Sequence, residues 1–102
     1  PLKPHSGVDM RAKTGTKIKA PLSGIVVISD NFFFNGNTIY IDHGEGMVSM
    51  YCHLNKRYLK KGDKVRQGDF LGEVGKTGRA TGPHLHWGVA LNGNMVDPRL
   101  LL

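Results

Sequence analysis

Much of this chain falls into short apolar or alternating segments separated by turn residues, and a period of two is the spacing at which successive strand side chains change face. Residues 16–20 and 22–29 flank Pro21, and the β-branched run Ile25-Val26-Val27-Ile28 marks the second segment as a strand. Thr38-Ile39-Tyr40-Ile41-Asp42-His43 alternates and stops at Gly44-Glu45-Gly46, after which residues 47–54 resume. That pattern predicts an antiparallel hairpin. Two similar phrases come next, Lys61-Gly62-Asp63-Lys64-Val65 and Gln67-Gly68-Asp69-Phe70-Leu71-Gly72, each with a Gly-Asp turn before a short apolar strand. Residues 84–91 predict a further strand, Asn92-Gly93-Asn94 a tight turn, and Met95-Val96 a short return strand. Pro1, Pro4 and Gly7 predict an extended or looped start for residues 1–10. Residues 55–59 predict a connection with one short helical turn, and residues 30–37 a loop carrying Phe32, Phe33 and Phe34. Those three rings either wall a binding groove or fill the core. No stretch has helical periodicity. The expected fold class is all-β, with short, mostly antiparallel strands forming a distorted sandwich or barrel.

The chain has 102 residues, enough for a single domain with a modest core. A bound metal would stabilise a domain of this size. Its 14 glycines are scattered singly through turns and indicate order, not a low-complexity tract. Fourteen Lys and Arg against eight Asp and Glu give a formal net charge of +6, which favours anionic partners. The basic residues punctuate turns, as at Lys56-Arg57 and Lys60-Lys61, and read mostly as solvated loop charge. They form no aromatic-interleaved motif or recognition helix, so nucleic acid is not an expected partner. Cys52 is the only cysteine, which excludes an internal disulfide, and its apolar surroundings suit a small buried hydrophobe better than a nucleophile. No apolar run is long enough to span a membrane and no signal peptide is present. Pro1 does not resemble a native start, so the chain is expected to be a C-terminal piece of a longer one.

Chemistry concentrates in Gly82-Pro83-His84-Leu85-His86-Trp87. On a strand His84 and His86 share a face, while Leu85 points the other way. Two imidazoles so placed can share a metal, or one can bind it while the other moves protons; a bland alternative is two polar residues on an exposed face. The other histidines, His5, His43 and His53, also fall in loops or at strand ends, where sites are usually built. His5, Asp9 and His86 would make a His₂Asp set, and catalytic zinc typically takes three protein ligands and leaves a fourth position open. His84 could then act as base and His53 as the donor to an oxyanion. His43 reads as structural.

Three motifs carry a family resemblance. His5-Ser6-Gly7-Val8-Asp9, Tyr51-Cys52-His53-Leu54 and Thr77-Gly78-Arg79-Ala80-Thr81-Gly82-Pro83-His84-Leu85-His86 match H-x-G-x-D, Y-x-H-L and T-G-x-x-T-G-P-H-L-H of the lysostaphin-like (LytM-type) zinc metallopeptidases. Ala20-Pro21-Leu22-Ser23-Gly24 and the paired Gly-Asp phrases also sit where that family has them, and the resemblance runs from about Pro4 to about Pro98. It implies one zinc ion held by His5, Asp9 and His86, His84 as the base and His53 as the oxyanion donor. It also implies an active-site groove across one sheet, peptidoglycan stem peptides or cross-links as substrate, and a place in the bacterial cell envelope, either periplasmic or extracellular. Trp87 and the Asn92–Pro98 ending look more like enzymes that cut direct cross-links. Residues 1–102 would then form a single domain of this type. One departure is that family members usually have a strand upstream of the first ligand, whereas His5 here has four residues before it.

Two other functions belong beside this one. Relatives lacking ligands serve as inactive regulators of other wall hydrolases, but all five expected positions are filled here. A biotinyl or lipoyl carrier of related fold would need a lysine at a tight hairpin tip in a set motif, which is absent, and a phosphotransfer domain that uses paired histidines does not call for Asp9 beside His5.

Overall fold

The structure, a computed structural model, describes residues 8–78, 82 and 84–97; for residues 8–10 and 84 it describes the backbone alone. Nine strands make up its regular structure: β1 (Val8–Arg11), β2 (Lys17–Lys19), β3 (Gly24–Phe32), β4 (Gly36–Gly44), β5 (Met47–Arg57), β6 (Lys64–Val65), β7 (Phe70–Val74), β8 (His84–Leu91) and β9 (Asn94–Val96). Every pairing is antiparallel, in the order β1-β8-β5-β4-β3-β6, with β2 on β7, β7 on β5 and β9 on β8. The all-β expectation holds, and the sheet takes the form of a curled half-barrel.

β5 is the strand the sheet turns on. Along one edge it pairs with β4; along the other, residues 47–52 pair with β8 and residues 54–57 with β7. One branch therefore leads to the histidine strand and the other wraps back to close the core. That core is the inner face of the curl: Ile39, Ile41, Tyr51, Leu54, Leu71, Leu85, Trp87 and Val89 are all buried in it. The alternation of β4 explains its part, since Ile39 and Ile41 face inward and Tyr40 and Asp42 do not. The two Gly-Asp phrases form matching turns. The Asp63 carboxylate accepts from the Lys60 N–H at 2.8 Å, and the Asp69 carboxylate from the Arg66 N–H at 2.9 Å.

Three local expectations need correction. Residues 55–57 continue β5, where a connection with a helical turn was expected, because β7 supplies backbone partners opposite Lys56 and Arg57. The predicted loop at 30–37 is shorter: β3 runs to Phe32 and β4 begins at Gly36, which pair with each other. Asp9 lies on a strand rather than a loop, because β8 offers it an edge. Of the two readings left open for Phe32, Phe33 and Phe34, the structure decides against the core, since the rings are 43%, 73% and 62% exposed.

Candidate active site

β8 carries His84 and His86 at its N-terminal end. β1 lies along one edge of β8, with Asp9 opposite His86 and Arg11 opposite His84. β5 lies along the other edge, with Cys52 opposite His86. Directly opposed residues of antiparallel strands share a face. Asp9, His86 and Cys52 thus form one cross-strand row on the face away from Leu85 and Trp87, which are in the core. Beside the row that face holds a recess of about 120 Å³, lined by Asn35, Tyr40, Met50, Cys52, His86 and Met95.

His53 reaches this face by a departure from strand regularity. Tyr51 and Leu54 are both buried in the core, yet they are three residues apart, which strict alternation would put on opposite faces. A bulge reconciles them. Tyr51 pairs with Ile39 and Leu54 with Asn37, so β5 spends one residue more than β4 over the same stretch. The extra residue is taken up at His53, whose φ is +61°. A left-handed backbone at a non-glycine costs about 1–2 kcal/mol, so the surroundings must hold it. The His53 N–H donates to the Asn35 carbonyl at 2.7 Å, and Nδ1 donates to the Thr77 carbonyl at 2.7 Å. A carbonyl only accepts, so Nδ1 carries a proton; in the neutral ring Nε2 then keeps its lone pair. The His53 and His86 ring centroids are 6.4 Å apart at an interplanar angle of 68°.

Of the five residues expected in the site, the structure brings His53 and His86 together and puts Asp9 in register with His86. His5 lies outside the described residues, as do the side chains of Asp9 and His84. Among the described residues no three His, Cys, Asp or Glu side chains gather where they could hold a metal. The donor chemistry of the row nevertheless suits zinc. It pairs a carboxylate position with an imidazole on adjacent strands, and oxygen and nitrogen donors of this kind are what catalytic zinc takes. Cys52 does not compete, because burial pushes its thiol pKa up, only partly offset by a hydrogen bond with Thr38, and keeps it protonated. It is the buried small residue that its apolar surroundings suggested.

His43 is built into the hairpin framework. Its Nδ1 donates to the Ser23 carbonyl at 2.8 Å, which leaves Nε2 to accept from the Ser49 hydroxyl at 2.6 Å. Sequence patterns did not single out Asn35, and they named Thr77 only as the first residue of the T-G-x-x-T-G-P-H-L-H motif, without a role. Both hold His53 through backbone carbonyls, which every residue type has, so residue type gave no sign of that hold.

Comparison with known proteins sharpens the picture. Residues 3–98 match Peptidase family M23. Peptidoglycan DD-endopeptidase ShyC of Vibrio cholerae is 44% identical over 98 residues, which cover 96% of this chain and 23% of ShyC. The catalytic domain of lysostaphin, an antimicrobial peptidase from Staphylococcus simulans, superposes with a TM-score of 0.86 at 36% identity, over 95% of this chain and 78% of that one. A zinc-containing peptidase from Vibrio cholerae superposes with a TM-score of 0.86 at 33% identity, over 88% of this chain and 28% of that one. The chain spans about a quarter of the length of the curated relatives it matches.

Proposed function

Because the chain belongs to peptidase family M23, we propose that it is a zinc-dependent endopeptidase that hydrolyses peptide cross-links of peptidoglycan in the bacterial cell envelope. Residues 1–102 would act as one catalytic domain. The observation that carries this proposal is the cross-strand row: His86 lies in register with Asp9, has the His53 ring beside it and lines a recess in the sheet. The peptidases of this family are metallopeptidases, and relatives named as DD-endopeptidases support the choice of substrate.

His5, Asp9 and His86 would hold one zinc ion, with His5 supplied by the segment just before β1. When bound, zinc supplies a Lewis acid that polarises the scissile carbonyl and acidifies water. The chain's own residues do the rest. His84, two positions before His86 on the same strand, takes the proton from the attacking water as general base. His53 faces the oxygen that gains negative charge. In its Nδ1–H tautomer it can donate to that oxygen through Nε2 only once the ring is doubly protonated. The recess beside His86, with polar and apolar groups from Asn35, Tyr40, Met50 and Met95 in its lining, would seat part of an extended peptide next to the reacting bond. The exposed ring of Phe34 belongs to the residue just before Asn35, which lines that recess.

The test is metal content measured with activity. Purified chain should hold close to one zinc per molecule, lose hydrolysis of a cross-linked peptide on chelation, and regain it with added zinc. Hydrolysis that survives complete zinc removal would overturn the assignment.

A further inference from the structure

The catalytic assignment leaves open what fixes His53. Its ring is bound through Nδ1 to a carbonyl in the loop after β7, and that carbonyl belongs to Thr77. The geometry assigns Thr77 as the positioning residue that sets the tautomer and orientation of His53, an inference that rests on the proposed role of His53 in peptide hydrolysis.

Three observations converge on it. First, the Thr77 hydroxyl uses both of its hydrogen-bonding functions on the strands beside the site. It donates to the Leu54 carbonyl at 2.8 Å and accepts from the Asn37 N–H at 3.0 Å. Second, Leu54 follows His53 directly in β5. Thr77 therefore grips two consecutive residues of one strand, the backbone of Leu54 through its hydroxyl and the ring of His53 through its carbonyl. The ring is referenced to its own bulge, independently of the rest of the loop. Third, the loop has no slack at this point. Gly36 has φ +66°, and a Cβ there would collide with the Thr77 hydroxyl and backbone; Gly78 has φ +73°, and a Cβ there would collide with Gly36 N. Two loops thus meet backbone to backbone, as only glycine permits, and the Thr77 carbonyl is caught between them.

The consequence is chemical as well as mechanical. With Nδ1–H committed to Thr77, the neutral ring exists as one tautomer and turns Nε2 away from the loop. If the carbonyl were free to swing, Nδ1–H would lose its acceptor: the neutral ring would exchange its proton between the two nitrogens, and the doubly protonated ring that donates through Nε2 would lose the partner that orients it. A residue that merely tied down the loop would affect stability and leave the tautomer alone.

The experiment is nitrogen NMR of the histidine rings at a pH where His53 is neutral, combined with steady-state kinetics on a D,D-cross-linked peptide dimer, for the zinc-loaded chain and three variants. In the parent, His53 should show a pyrrole-like Nδ1 and a pyridine-like Nε2. Thr77→Ser keeps the hydroxyl and should preserve both the signature and kcat. Thr77→Val removes both hydroxyl bonds while keeping the branched shape. It should average the two ring signals and lower kcat about tenfold with KM within about twofold. Thr77→Ala removes the same bonds with less steric demand and must behave alike, which covers the case of a valine variant that does not fold. An unchanged tautomer in both Thr77→Val and Thr77→Ala, or an Nε2–H tautomer in the parent, would overturn the assignment. If the tautomer responds as stated but no form of the chain hydrolyses the dimer, the positioning role stands and the peptidase assignment fails.

Discussion

Replacing Tyr51 by phenylalanine should change stability in alkaline solution by an amount that the structure fixes. Tyr51 is 1% exposed, and its hydroxyl finds no hydrogen bond of good geometry among the described residues. Burial pushes its pKa from an ordinary 10.0 up to about 12, while Ser49 and Trp87 nearby offset only part of that. The sign follows from linkage. Above pH 10 the unfolded chain has released this proton and the folded chain has not, so stability is fully present below pH 10 and is lost as pH rises toward about 12. Two decades of pH at about 1.4 kcal/mol each make the loss roughly 3 kcal/mol. Tyr51→Phe removes the titrating group and an unpaired buried hydroxyl. Near neutral pH it should be within about 1 kcal/mol of the parent, and its advantage should grow by roughly 3 kcal/mol between about pH 10 and about pH 12. Urea unfolding followed by fluorescence of Trp87, the only tryptophan and the cross-strand partner of Tyr51, reads this directly. Burial also raises Tyr40, and a hydrogen bond to Glu73 raises Tyr58, but both are present in parent and variant and cancel in the difference. A difference that stays flat across that pH range would refute the buried, un-ionised hydroxyl.

Four further substitutions address the site and the loop beside it. His5→Ala or Asp9→Ala should each lose both zinc and hydrolysis, read by metal analysis after dialysis; a full zinc equivalent in either variant would show the ligand set to be wrong. His84→Ala should keep its zinc and lose hydrolysis by on the order of a hundredfold, as for a missing general base; if zinc is lost instead, His84 is a ligand and the two histidines of β8 exchange roles. Gly36→Ala should destabilise the fold by at least about 1–2 kcal/mol in urea, since its φ of +66° disfavours any Cβ and Thr77 stands in the way; unchanged stability would mean that the two loops can separate freely.

Much of the architecture was legible because it rests on local pattern. Strict alternation in residues 38–43 identified β4, and Asn92-Gly93 between apolar segments identified the turn from β8 to β9, where both residues take positive φ. What was hidden depends on partners distant in sequence. Lys56 and Arg57 have no apolar alternation and extend β5 only because β7 lies alongside. Val8–Arg11 is too short to declare itself and becomes a strand against the edge of β8. The bulge at His53 left a trace, the three-residue spacing of Tyr51 and Leu54, but that trace means something only once both are known to be buried. The Phe32-Phe33-Phe34 run shows the converse: composition suggested core as readily as groove wall, and exposure decided against the core. For the site, residue types and motif spacing named the candidate histidines and Asp9, whereas the hold on His53 by Asn35 and Thr77 acts through backbone carbonyls and leaves no mark on residue type.

The central claim is that this chain uses zinc to cut a peptide bond in cross-linked peptidoglycan. The most direct measurement is mass spectrometry of a purified, cross-linked peptide dimer from peptidoglycan, incubated with the chain carrying one equivalent of zinc. The account predicts loss of the dimer and the appearance of two monomers whose summed mass exceeds the dimer's by one water, with no such products from Asp9→Ala. An intact dimer in the presence of folded chain with its zinc bound would contradict it.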